Sequence, residues 1–153
     1  MMPVLSGVST NLSSVNTTSP SVKIFTLKGS TNNAGSVRLT TDGLPSATVG
    51  NIVTFKSYTT FFCKIVVCCT VANAGTSSAS WEFALLARRA NATNTVAIIN
   101  NSMNSMISDS FLSQTSILYS EDLINGGLNI TCAGFSSAGT LNWIATVTTT
   151  EVG

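Results

Sequence analysis

Histidine is absent from this chain, and charge is scarce: seven Lys and Arg against six Asp and Glu, 8% of 153 residues. Without histidine no Ser–His or Cys–His nucleophile pair can form, and a base working near neutral pH must be a shifted carboxylate, lysine or cysteine. A charged fraction about a third of the usual ~25% leaves the polar surface to neutral side chains. The net charge of +1 provides no field that gathers nucleic acid or an anionic membrane. The basic residues Lys23, Lys28, Arg38, Lys56, Lys64, Arg88 and Arg89 are scattered, with one adjacent pair. Nucleic acid is therefore not an expected partner. Long apolar runs are missing too. The most apolar, residues 61–72, is interrupted by Lys64 and falls well short of the ~20 residues of a membrane-spanning helix, so no membrane partner is expected. The opening "MMPVLSGVST" has neither the basic nor the apolar region of a secretory signal, and the mature chain is expected to start there.

The four cysteines, Cys63, Cys68, Cys69 and Cys132, contain no CxxC spacing, and with no histidine a zinc site is not expected. They read as small buried hydrophobes in a reducing compartment, with a disulfide from Cys132 as the alternative. Among the carboxylates Asp42, Glu82, Asp109, Glu121, Asp122 and Glu151, only Glu121 and Asp122 are adjacent. Placed just before the Gly126–Gly127 turn, they read as a solvated loop. No G-x-S-x-G elbow, P-loop, dinucleotide fingerprint or EF-hand loop is present. The expectation is a protein with no catalytic residues, no cofactor and no metal.

What the chain has instead is 22 Ser, 22 Thr and 14 Asn around short apolar runs. Such a surface is soluble but weakly self-repelling, which suits a dense assembly. Residues 1–21 form a polar arm with spaced apolar residues, Val4, Leu5, Val8, Leu12 and Val15, that sustain neither helical nor strand periodicity. From residue 22 on, apolar runs alternate with Gly, Asn, Ser and Pro clusters every eight to fifteen residues. "SVRLT" (36–40) alternates cleanly, and in "FFCKIVVCCTVA" (61–72) Ile65, Val67, Cys69 and Val71 fall on one face. Eight or nine such runs predict an all-β domain over 22–153. The expected form is an antiparallel β-sandwich, jelly-roll-like, of about eight strands behind an extended arm.

One stretch resists that reading. In "ASWEFALLARRANATNTVAII" (79–99), residues 80–90 are good helix formers with Ser80 available as an N-cap. As a strand the same segment places Trp81, Phe83, Leu85 and Ala87 on one face and a half-apolar set, Glu82, Ala84, Leu86 and Arg88, on the other. Its surroundings favour the strand, covered on both faces, with a second subunit as the outer cover. Any helix is expected here or around residues 102–111. Trp81, Phe83, Leu85 and Trp143 are the expected core or interface anchors. Phe135, in "GFSSAG" (134–139), is expected to be exposed at a loop tip, with Tyr58 a weaker second candidate.

The segments "LTTDG" (39–43), "ASWEF" (79–83), "ARRANA" (87–92), "NGGLNI" (125–130) and "LNWIATVTTTEV" (141–152) resemble small β-rich domains of phage virion proteins, notably those at tail-fibre ends. The resemblance spans residues 36–152 and is one of turns and anchors. That family often has Arg immediately before the last Trp, where this chain has Asn142; the Cys68–Cys69 pair and the 103–106 stretch are also particular to this chain. The resemblance implies a non-enzymatic virion component, assembled in the host cytoplasm, built as a homo-oligomer, a homotrimer of β-sandwich protomers. It implies an interface role for Arg88 and Arg89, paired to a carboxylate of the same or a neighbouring subunit. Two roles follow: a capsid decoration (cement) protein whose arm lies on the major capsid protein, or a tail-fibre head attached to tail proteins that recognises host glycans. Extended, the arm reaches up to about 70 Å.

Overall fold

A computed structural model describes residues 21–73 and 77–153. Nine strands follow one another: β1 (Ser21–Asn32), β2 (Ser36–Arg38), β3 (Val53–Thr54), β4 (Thr59–Val71), β5 (Ser78–Arg89), β6 (Val96–Ser108), β7 (Ser116–Asp122), β8 (Gly127–Ala133) and β9 (Thr140–Val152). Two short 3₁₀ turns, Thr93–Thr95 and Ser110–Leu112, are the only helical pieces among the described residues. The fold is all-β, and among the described residues every strand pairing is antiparallel.

Residues 80–90 belong to β5, and residues 102–108 belong to β6. Helix propensity is worth tenths of a kcal/mol per residue and yields here to a full ladder on both sides. Each residue from Ser78 to Arg89 has a partner on β4, and Ala79 to Arg89 run alongside β6. Two register shifts, between Glu82 and Phe83 and between Leu86 and Ala87, mark bulges against β6.

The strands form a large sheet in the order β1–β9–β4–β5–β6 and a small one centred on β8. In the small sheet β7 pairs with one edge of β8 while β2 and β3 share the other, end to end. Alternation along the long strands aims Phe61, Cys63, Ile65, Val67 and Cys69 of β4, and Trp81, Phe83, Leu85 and Ala87 of β5, at the small sheet. With Leu128, Ile130 and Cys132 from β8 these make one continuous core. Val71, on the same face of β4, is only half buried at the strand end.

Stacked pairs anchor the core: Phe55 on Phe61 with centroids 4.5 Å apart, and Trp81 on Trp143 at 5.8 Å. The Trp143 Nε1–H donates to Thr31 Oγ1 at 2.9 Å, which satisfies the one polar group of a buried indole. Two expectations are corrected. Phe135 is buried, edge-on to Phe111 at 5.4 Å, because the loop after β8 folds back over the core rather than standing out as a tip. Asp122 is not solvated either: it ends β7 buried and paired with Arg38 of β2, while Glu121 accepts the Ile98 N–H at 3.0 Å.

Candidate functional site

One face of the large sheet closes the core; the other is open, and it is unusually apolar for an open face. Alternation puts Val22 and Ile24 of β1, Ile144 of β9, Phe62 and Cys68 of β4, and Leu86 of β5 outward. Val22 and Ile24 are 63% and 69% exposed. The ladders set these residues in rows. One row runs Val22, Thr150, Phe62, Leu86, Asn100 across all five strands. Another runs Lys28, Ile144, Cys68, Ser80, Ile107. Between Phe62, Ala84, Leu86 and the 100–102 backbone lies a shallow groove of about 300 Å³.

Charge on this face is sparse and partly self-cancelling. Lys64 Nζ lies 3.5 Å from Glu82 Oε1 at the middle of the sheet, and Lys28 and Arg88 sit toward its two ends. The rest of the polar surface is neutral, Ser80, Asn100 and Asn142 among it, with Thr146, Thr148 and Thr150 in a column on β9. An exposed pair such as Lys64–Glu82 adds less than about 1 kcal/mol to stability. Its consequence is electrostatic: neither charge is left single when the face is covered.

Trp81, Phe83, Leu85 and Trp143 all lie in the core, on the inner face of the same sheet. Val4, Leu5, Val8, Leu12 and Val15 lie outside the described residues. Arg88 and Arg89 point from opposite faces of the end of β5 and do not form one basic site. Arg88 is exposed on the open face. Arg89 turns inward, where its Nη1 donates to the carbonyls of Phe55 and Gly126 and ties the end of β3 to the β7–β8 turn. Gly126 has φ +72°, a left-handed conformation that favours glycine, and a Cβ there would stand 2.7 Å from that guanidinium nitrogen and push it aside.

Reading for alternation within each run missed Val22, Ile24, Phe62 and Ile144. The signal was available in the doublets of "FFCKIVVCC", where Phe61–Phe62, Val66–Val67 and Cys68–Cys69 fill both faces of one strand. At the lower end of the sheet Tyr58 is 70% exposed with φ +58°, held there by its N–H to the Ala90 carbonyl at 3.1 Å. It lines a cleft of about 350 Å³ with Thr60, Arg88 and Thr95.

All four cysteines are free thiols. Burial pushes the Cys63 and Cys69 thiols up to about 12 and raises Cys132 further, whereas Cys68 is exposed. The thiolate is the reactive form. Maleimide is therefore expected to leave Cys63, Cys69 and Cys132 unmodified in the native protein and to reach them only in denaturant, as peptide mass mapping would show. Native labelling of any of these three would contradict the packing described. Among the described residues no group of three or more Cys, Asp or Glu side chains is placed to hold a metal, and no helix is long and apolar enough to cross a membrane.

No family model matches the chain, and no curated protein matches it. Among solved structures it is similar to the tailspike protein of Acinetobacter baumannii phage AM24, at 12% identity and a TM-score of 0.44 over 86% of this chain. A tailspike of A. baumannii bacteriophage Fri1, described as a capsular polysaccharide depolymerase, gives 14% identity and the same TM-score and coverage. The Acinetobacter phage vB_ApiP_P1 tailspike gives 18% identity and a TM-score of 0.30 over 84%. The matched parts are 26%, 17% and 20% of those chains. No residue role is carried over from them.

Proposed function

We propose that this chain is a non-enzymatic structural protein of a phage virion. In this reading it is a capsid decoration protein that binds and stabilises the head through its 1–21 arm and through contacts within a homotrimer. The observation that supports it most is the open face of the large sheet. It is five strands wide and greasy, its few charges include a Lys64–Glu82 pair near the centre, and it carries shallow grooves. A surface of this kind serves adhesion, since exposed apolar patches of this extent mark interaction sites. The resemblance of the 36–152 segments to virion domains points the same way.

The arm carries the test. Deleting residues 1–21 is expected to abolish binding to expanded heads while leaving the β-rich circular dichroism spectrum intact. Quantitative mass spectrometry of particles is expected to give a copy number on the scale of the head's subunits. Copies on the scale of the tail, or an isolated domain that labels host cells and never heads, would instead support the second reading.

That second reading is a tail-fibre head recognising host glycans. Tyr58 favours it: an exposed aromatic in a left-handed conformation, beside Arg88 and threonine hydroxyls, offers a stacking face and hydrogen-bond donors to a sugar.

A further inference from the structure

We infer that the open face of the large sheet is where two copies of this chain meet, the β1 half of one face lying on the β5 half of the next. The inference rests on the homo-oligomer part of the proposed function and assigns it a surface. Three observations carry it.

The first is area. Five strands at about 4.8 Å and twelve to thirteen residues at about 3.3 Å make a face of about 1,000 Å². A stable specific interface buries about 800 Å² from each partner. The face therefore matches in size what one stable contact requires.

The second is charge. Lys64 and Glu82, the charges near the centre of the face, already neutralise each other, and Lys28 and Arg88 lie toward its ends. Two copies meet here without confronting an unpaired central charge, the commonest obstacle to burying such a surface.

The third is the layout of the rows. Rotation about an axis parallel to the strands keeps each residue at its height along them. It carries Val22 of one copy over Leu86 of the next, because both belong to the row through Phe62. The apolar residues of β1 then cover those of β5, and the axis passes between β9 and β4, so that Cys68 of one copy lies over Ile144 of the next. A pair uses the face as one contact, while a closed ring of three divides it between two neighbours, the β1 half on one and the β5 half on the other.

Light scattering of the full chain after size exclusion, with single variants Val22→Glu and Leu86→Lys, tests the assignment. Both side chains point to solvent, so neither change should disturb the core. The wild-type protein is expected to elute at the mass of two or three copies. Each variant is expected to associate at least tenfold more weakly with an unchanged circular dichroism spectrum. Cys68 supplies a readout independent of folding. Its alkylation should be at least tenfold slower in the wild-type assembly than in either variant. If both variants keep the wild-type mass and Cys68 reacts equally fast in all three, this face is not the contact, although the homo-oligomer stands. A wild-type protein that is monomeric at tens of micromolar overturns the homo-oligomer itself and the inference with it.

Discussion

Replacing Trp143 with alanine is expected to lower the unfolding free energy by about 4 kcal/mol, within the ~3–5 kcal/mol typical of removing a buried Trp or Phe. The size follows from position. Trp143 is fully buried on β9, whose neighbours are β1 and β4, and its ring stacks on Trp81 of β5, two strands away. Opposite it in the β1 ladder is Gly29, and a Cβ there would come within 2.9 Å of Leu39 Cδ2. Leu39 thus packs directly on the β1 backbone at the position paired with Trp143. Alanine would also leave Thr31 Oγ1, itself buried, without its donor. Phe at 143 keeps most of the stacking surface and loses the hydrogen bond, so it should cost about 1–2 kcal/mol. Urea denaturation followed by far-ultraviolet circular dichroism separates the two cases. A loss below about 1 kcal/mol for Trp143→Ala would mean that the Trp81–Trp143 stack is not central to the core.

The parts of this fold legible in the sequence were those whose partners lie next to them or share their period. Alternation over Ile65, Val67, Cys69 and Val71 gave β4 and its inward face, and the β-rich surroundings of residues 80–90 outweighed strong helix formers there. The parts not legible depend on long-range closure. Strands of three and two residues, β2 and β3, carry too little pattern to announce themselves and exist because β8 offers them an edge. The weak patterning of residues 100–114 has a structural cause: from Ile99 to Ile107, β6 is an edge strand exposed on both sides, so nothing selects an inward set. Phe135 sits among glycines and serines, whose composition reads as solvent-facing, yet its ring reaches Phe111 across the chain. The open face was half visible, in β5 alone. Its full extent needed the sheet order, which brings β1 and β9 alongside β4 and which no local pattern encodes.

Asp122 shows the same limit most sharply and carries the second large effect. Its partner Arg38 lies 84 residues earlier, on a strand only three residues long. Burial opposes ionisation of Asp122, but the Asn125 side chain and backbone N–H and the Arg38 guanidinium all donate to it, and together they hold its pKa at about 2. The Ile124 N–H adds a further bond at 3.0 Å. The folded value is lower than the unfolded one, so the carboxylate stabilises the fold above the unfolded pKa of about 4, and that contribution is lost as pH falls toward 2. A depression of roughly two units corresponds to about 2–3 kcal/mol at neutral pH, where this side chain is only 4% exposed. Asp122→Asn is expected to cost about that much at pH 7. It leaves the Arg38 charge unpaired, and the Arg38 Nε is already a buried donor without a partner. Denaturant titrations at pH 7, 4 and 2 should therefore show the variant and wild-type curves converging as the medium is acidified. A stability gap of the same size at pH 7 and pH 2 would show that the substituted amide disturbs packing rather than removing a charge, and the paired carboxylate would not be what fastens β2 to the β7–β8 turn.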